Sequence, residues 1–79
     1  MTITVRYFAV LRERRGLESE RVETEAATPG HLYAELLPRH HLGLPVELVK
    51  FAINNEFVSI DTPLENNSEV ALIPPVAGG

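Results

Sequence analysis

The feature that most constrains the fold of this chain is a single helix signal that stands between strand-like segments. Thr28 and Pro29 are typical of a helix start, with threonine as the N-cap and proline in the first turn. Leu32 and Leu36 give the i, i+4 apolar stripe of a short helix, and Pro38 is expected to stop or kink it. The pattern predicts an α+β domain in which one helix packs across one face of a sheet.

Apolar and polar residues alternate on both sides of this helix, and that period of two predicts strands. The predicted strands cover residues 2–9, 19–26, 49–54, 58–60 and 69–73. The first two are expected to pair as a hairpin, with the arginine-rich residues 12–16 as its solvated end. A docking contact with an acidic partner is the other interpretation of those arginines. The 79 residues are expected to form one domain, 1–73, followed by an extended tail, 74–79.

Composition and charge exclude several classes of function. The net charge of −4 disfavours nucleic acid or an anionic membrane as the main partner. The absence of cysteine excludes disulfides, thiolate zinc sites and a thiol nucleophile. Adjacent His40 and His41 point in different directions, so we expect a solvated loop and no metal site there. No apolar run reaches the ~20 residues that span a bilayer and no signal peptide is evident, so a cytoplasmic location is expected.

Strand parity assigns three large apolar side chains to the sheet face that the helix does not cover. They are Phe8, Phe57 and Ile73. One interpretation is that one or two of them are strand-end residues beneath a loop, and the other is a docking patch. Burial of all three would contribute roughly 5–9 kcal/mol, and association costs of about 4–15 kcal/mol offset most of that. A second anchor is therefore expected, and the tail begins directly after Ile73.

The tail of the chain, residues 74–79, reads Pro-Pro-Val-Ala-Gly-Gly. Pro74 and Pro75 fix φ and favour an extended path, so less entropy is lost when the tail enters a partner. Gly78 and Gly79 have no side chains, so a narrow channel can close around their backbone. Six extended residues reach at most about 20 Å. The alternative is a terminus that simply frays.

Four segments of the sequence together resemble the β-grasp, ubiquitin-like sulfur carriers, and among these most closely the small subunit of molybdopterin synthase. The matching segments are residues 7–13 with Gly16, residues 28–32, Ile53 and Asn54 with Val58, and residues 69–79. That family often carries an acidic-Gly-acidic turn before the last strand, where this chain has Asn66, Asn67 and Ser68. Asparagine can adopt the left-handed conformation that glycine would supply, so the turn is expected to persist.

The resemblance implies a mixed sheet of about five strands against one helix, with a flexible Gly-Gly tail. It implies that an ATP-dependent adenylating enzyme couples Gly79 to AMP. A sulfur donor, such as a cysteine desulfurase or a rhodanese, then forms a thiocarboxylate. The large subunit of molybdopterin synthase would supply the catalytic groups that pass this sulfur to a pterin precursor. No cofactor is held tightly, because AMP and sulfur are carried only transiently on Gly79.

Two groups of residues are expected to contact the partners. The tail residues Pro74, Pro75, Val76, Ala77, Gly78 and Gly79 would enter the partner channel. Strand parity places Phe8, Phe57 and Ile73 in the docking patch, and the cluster of basic residues adds Arg12 to it. Two alternatives remain open. In the first, the chain is a related carrier that serves thiamin thiazole, cysteine or tRNA thiolation, or protein conjugation. In the second, it is an unmodified ubiquitin-like interaction module.

Overall fold

The computed structural model of the chain describes residues 1–75, in which five strands and two α-helices follow one another. The predictions for residues 76–79 lie outside the described residues. The elements are β1 (Thr2–Tyr7), α1 (Ala9–Arg15), β2 (Ser19–Glu23), α2 (Pro29–Arg39), β3 (Lys50–Ile53), β4 (Glu56–Val58) and β5 (Glu69–Ile73). A short 3₁₀ helix, Val46–Leu48, precedes β3.

The five strands form one mixed sheet in the order β2-β1-β5-β3-β4. β1 pairs parallel with β5, and the other three neighbouring pairs are antiparallel. β5 therefore lies at the centre of the sheet, and its end is flanked by the end of β1 and the start of β3. This architecture confirms the predicted mixed five-stranded sheet with a packed helix.

The core lies between α2 and one face of the sheet. The buried apolar side chains of the strands alternate with half-buried or exposed ones, as the period of two predicts. The strands and α2 contribute Ile3, Val5, Tyr7, Phe51, Val70, Leu72, Leu32, Tyr33 and Leu36. The rings of Tyr33 and Phe51 meet edge-on, with centroids 6.2 Å apart. Side chains alternate along a strand, so every other strand residue points to the opposite face of the sheet. We call that face the open face.

Helix α2 begins where the sequence predicts. The Thr28 side chain accepts a hydrogen bond from the backbone N–H of His31 at 3.2 Å, and Pro29 is the first helical residue. The helix continues through Pro38 and ends one residue later at Arg39, so Pro38 does not stop it, and the alternative of a kink at Pro38 stays a prediction. Pro38 lacks a backbone N–H, so the last turn of the helix has one hydrogen-bond donor fewer. The N–H of His40 donates to the carbonyl of Leu36 at 3.0 Å and closes the last turn.

The predicted hairpin end at residues 12–16 was also wrong, because these residues belong to α1 and its cap. β1 stops at Tyr7, and β2 stops at Glu23 rather than at residue 26. Helix α1 buries Leu11 completely in the core. It is capped by Gly16, whose φ of 80° is left-handed. The Gly16 N–H donates to the backbone carbonyl of Arg12 at 2.8 Å. Burial of Leu11 explains why the connection coils into a helix instead of forming a tight turn.

The asparagine turns adopt the conformations expected from the sequence. Asn54, Asn55 and Asn67 all have positive φ, between 49° and 73°. The fourth strand lies two residues earlier than the predicted 58–60, because β4 spans Glu56–Val58 and Ile60 lies in the following loop. The Ile60 carbonyl accepts from the Gly30 N–H at 2.9 Å. A Cβ on Gly30 would lie 2.6 Å from Ile60 Cγ1, so glycine is needed for the loop to pack against α2.

Candidate functional site

A groove of about 660 Å³ lies at the point where β5 ends and the tail begins. It is lined by the first turns of α1, by the end of β5 and by the two tail prolines. The lining residues are Phe8, Ala9, Val10, Arg12, Glu13, Ile73, Pro74 and Pro75. We call this the tail groove. Pro74 is buried in its wall and Pro75 is exposed, so the chain leaves the domain from within the groove.

The parallel pairing of β1 and β5 brings the two apolar groups of the tail groove together. Tyr7 lies opposite Leu72 in the register, and both side chains are buried in the core. The next residues, Phe8 and Ile73, therefore lie side by side and point away from the core. At Ala9, where φ is +51°, the chain turns into α1. Helix α1 then supplies the wall that carries Arg12.

The predicted docking residues do not all lie at the groove. Phe8, Arg12 and Ile73 line it together, whereas Phe57 lies elsewhere on the open face. Phe57 is opposite Ala52 on β3, so one strand separates β4 from β5. Its side chain is 72% exposed, while Phe8 and Ile73 are half-buried. The open face thus carries a tail groove near its centre and a separate exposed aromatic at its edge.

The arginines around the groove have different roles. The Arg6 guanidinium lies 5.1 Å from the centre of the Phe8 ring and 3.4 Å from the Glu69 carboxylate. Arg14 donates to the Leu42 carbonyl at 2.6 Å, which ties α1 to the loop after α2. Arg12 is exposed and makes no ion pair with any residue of the described range 1–75. Arg12 is therefore available to meet an acidic group on a partner.

A hydrogen-bonded triad that the sequence analysis missed fixes α1 against β2. The Tyr7 hydroxyl donates to Glu20 at 2.7 Å, and Arg15 donates to both oxygens of that carboxylate at 2.8 and 2.9 Å. The hydrogen bonds from Arg15 hold the pKa of Glu20 below its ordinary value. Burial and the adjacent Glu20 raise the pKa of Tyr7 above its ordinary value. The triad therefore holds one wall of the tail groove in place.

This triad predicts a pH-dependent contribution to stability. The Glu20→Gln change should lower the free energy of unfolding at pH 7 by about 1.5–3 kcal/mol, the range for a hydrogen bond to a charged group. Because the folded-state pKa of Glu20 is lowered, its contribution is complete above the ordinary value of 4.5 and is lost as the pH falls through the folded-state value. Urea unfolding of both proteins across the acid range measures the difference.

The control for that prediction is Glu25→Gln, because Glu25 is exposed and makes no side-chain hydrogen bond within residues 1–75. Its unfolding free energy should follow the parent at every pH. A Glu20→Gln deficit that stays constant into strong acid would contradict the assigned role of the triad.

The lining of the tail groove is suited to binding rather than to acid–base chemistry. Among the described residues 1–75, Glu13 is the one carboxylate that lines it, and neither histidine nor cysteine does so. Across residues 1–75 no cluster of three or more potential ligands is arranged to hold a metal ion. Within the same residues, none of the helices has the length and apolar character needed to cross a membrane.

The fold and the groove define a small ubiquitin-like domain whose last strand leads into the C-terminal segment beside a largely apolar groove. The sequence matches the ThiS family over residues 5–79. The chain therefore belongs to the ThiS family.

Two relatives match almost the whole chain. The molybdopterin synthase sulfur carrier subunit of Escherichia coli is 35% identical and covers 98% of this chain and 99% of its own. The protein of the same name from Chlamydomonas reinhardtii is also 35% identical, with complete coverage of both chains.

Solved structures agree with the fold over almost the same length. SAMP1 from Haloferax volcanii superposes with a TM-score of 0.81, 26% identity and complete coverage of both chains. A putative molybdopterin converting factor subunit 1 from Pyrococcus furiosus superposes with a TM-score of 0.78 and 30% sequence identity. The match covers 96% of this chain and 99% of that one. A chain from the complex of subunits 1 and 2 of the Helicobacter pylori molybdopterin-converting factor superposes with a TM-score of 0.70 and 28% sequence identity. The match covers both chains completely.

Proposed function

We propose that this chain is the sulfur carrier subunit of a molybdopterin synthase and that Gly79 carries the sulfur. The observation that carries this proposal is the tail groove, where Phe8, Arg12 and Ile73 surround the start of the tail. Full-length similarity to molybdopterin synthase sulfur carrier subunits supports the choice of pathway.

The proposed chemistry takes place on the C-terminal carboxyl group of Gly79. An α-carboxylate is ionised at neutral pH and is a poor electrophile. In the first step this carboxylate attacks the α-phosphate of ATP, and pyrophosphate leaves to give an acyl-adenylate. The outer sulfur of a persulfide on a donor such as a cysteine desulfurase or a rhodanese then attacks the acyl carbon, and AMP leaves to give an acyl disulfide. A thiol cleaves this S–S bond, which releases the thiocarboxylate and leaves the thiol joined to the donor as a disulfide. Transfer of that sulfur to a pterin precursor, followed by hydrolysis, regenerates the carboxylate for another cycle.

The proposed partners bind the same surface. The large subunit of the synthase and the adenylating enzyme would each dock on the tail groove, with Pro74 and Pro75 directing residues 76–79 into an active site. Because both need the tail, they would compete for one carrier. A neighbouring structure that is itself a complex of subunits 1 and 2 supports docking to a second subunit.

The chain is proposed to have no catalytic activity of its own. The groove offers an arginine and one carboxylate beside apolar groups, which suits recognition. Acid–base groups for adenylation and for sulfur transfer would lie on the partners. The cytoplasm, where ATP and a reduced sulfur donor are both present, is the proposed location.

Deletion of the gene tests the pathway. We expect molybdoenzyme activity to disappear, while thiamin synthesis and tRNA thiolation continue, and we expect plasmid-borne wild-type protein to restore the activity. Intact molybdoenzymes with loss of thiamin or of tRNA thiolation would assign the chain to a related sulfur carrier instead. Assays of all three pathways in one deletion strain distinguish these outcomes.

A further inference from the structure

Lys50 is the only lysine in the sequence, and the fold places it beside the start of the tail. It is the first residue of β3 and is directly opposite Ile73, the last residue of β5. Opposed residues of an antiparallel pair lie with their Cα atoms about 5 Å apart. The side-chain amine of Lys50 therefore belongs to the end of the sheet from which the tail departs.

The side chain of Lys50 is on the open face. Its neighbour Phe51 is buried in the core opposite Leu72, so Lys50 and Ile73 both point the other way. Lys50 is exposed and makes no ion pair within the described residues 1–75. The amine is thus accessible in the free protein.

The other primary amine of the chain is the N-terminal one, and it lies at the opposite end of the sheet. The Met1 ammonium group donates to the Thr24 carbonyl at 2.8 Å. β1 and β5 run parallel, so the start of β1 is separated from the end of β5 by the length of a strand, about 20 Å for six residues. Lys50 is therefore the amine placed to meet an activated C-terminus.

We propose that Lys50 is an internal acyl acceptor for the activated C-terminus, an inference that rests on the proposed activation of Gly79. The neutral ε-amine attacks the acyl carbon of the Gly79 adenylate. A C–N bond forms, the bond to AMP breaks, AMP leaves with the electron pair, and the nitrogen releases a proton. The product is an isopeptide bond within one chain, which blocks the carrier.

The tail is long enough for this reaction. Two extended prolines advance the chain by about 6 Å, and any four further residues can span up to about 13 Å. The lysine side chain contributes roughly 6 Å more. A short connection between tail and amine gives an effective concentration in the millimolar range, so reaction within one chain is favoured over reaction between chains at micromolar protein.

The position of Lys50 links this side reaction to docking. Lys50 is on the same face as the tail groove and is adjacent to Ile73. A partner that covers Ile73 also covers the amine. While a partner is docked, Lys50 is covered and does not react with the activated carboxyl group. A carrier that is released after activation but before it receives sulfur would then form the isopeptide bond.

A full-length chain with a Gly79 thioester, made by intein cleavage, tests this inference. Incubated at low micromolar concentration, it should give a monomer lighter than the hydrolysed chain by one water, about 18 Da. Peptide mapping should locate the bond between Lys50 and Gly79.

The matched variant is Lys50→Arg, which keeps the positive charge and removes the nucleophile. It should give hydrolysis only. A closed product that persists in Lys50→Arg, a wild-type thioester that only hydrolyses, or a Lys50-linked dimer in place of the closed monomer would each overturn the inference. Because the thioester is made without an adenylating enzyme, failure here is separate from failure of Gly79 to acquire sulfur.

Discussion

Removal of Gly79 is expected to reduce molybdopterin synthesis to background. The truncated chain still ends in a carboxylate, but on Gly78, about 3.5 Å short of its former position. Misplacement of a reacting group by even ~1 Å can cost about 100-fold in rate. Synthase activity reconstituted from the purified large subunit, the adenylating enzyme, ATP and a sulfur donor measures the effect.

Two observations control for trivial causes of that loss. The thermal midpoint of the truncated chain should match the parent, because the core residues of the described range 1–75 lie between Ile3 and Leu72. Gly79→Ala keeps the reach of the carboxylate and adds one methyl group to the channel, so it should lose less activity than the truncation. Undiminished activity in the truncated protein would favour the unmodified interaction module and would contradict the carrier proposal.

Ile73→Asp is expected to weaken binding of the large subunit about 10- to 150-fold. Burial of an isoleucine side chain contributes roughly 1.5–3 kcal/mol, and each 1.4 kcal/mol corresponds to a factor of about ten in Kd. A carboxylate in the apolar part of the groove adds a desolvation cost. The fold should persist, because this side chain is on the open face and outside the core. Titration calorimetry with the purified large subunit gives the ratio of Kd values.

Phe57→Asp is the matched control for the tail groove. Phe57 is on the same face and is more exposed than Ile73, but it lies away from the groove on β4. Its substitution should weaken binding less than Ile73→Asp does. If Phe57→Asp has the larger effect, the centre of the interface lies at the edge of the sheet and the groove has been assigned the wrong role.

The sequence predicts the sheet and α2 because their signals are long and periodic. β5 was predicted with the bounds that the structure has, and Thr28 and Pro29 mark the start of α2. Helix α1 was missed because it spans only seven residues and buries a single one completely, Leu11. Its arginines resemble a solvated turn in sequence. The triad of Tyr7, Arg15 and Glu20 could not be predicted without α1, because the helix brings Arg15 to β2.

Parity placed Phe8, Phe57 and Ile73 on the open face because side chains alternate strictly along a strand. It could not separate Phe57 from the other two, because lateral position depends on strand order. The insertion of β5 between β1 and β3 is a long-range pairing without a local signal. Similarly, the sole lysine is evident in the sequence, but its place opposite Ile73 follows only from the register of β3 and β5.

The most direct test of the account is the intact mass of the chain after incubation with the adenylating enzyme, ATP and sulfide. Replacement of one carboxyl oxygen by sulfur should add about 16 Da, and fragmentation should place the added mass on Gly79. The Gly79 truncation serves as the parallel sample. An unchanged mass in the presence of an adenylating enzyme that is active on another carrier would contradict the proposal that this chain carries sulfur.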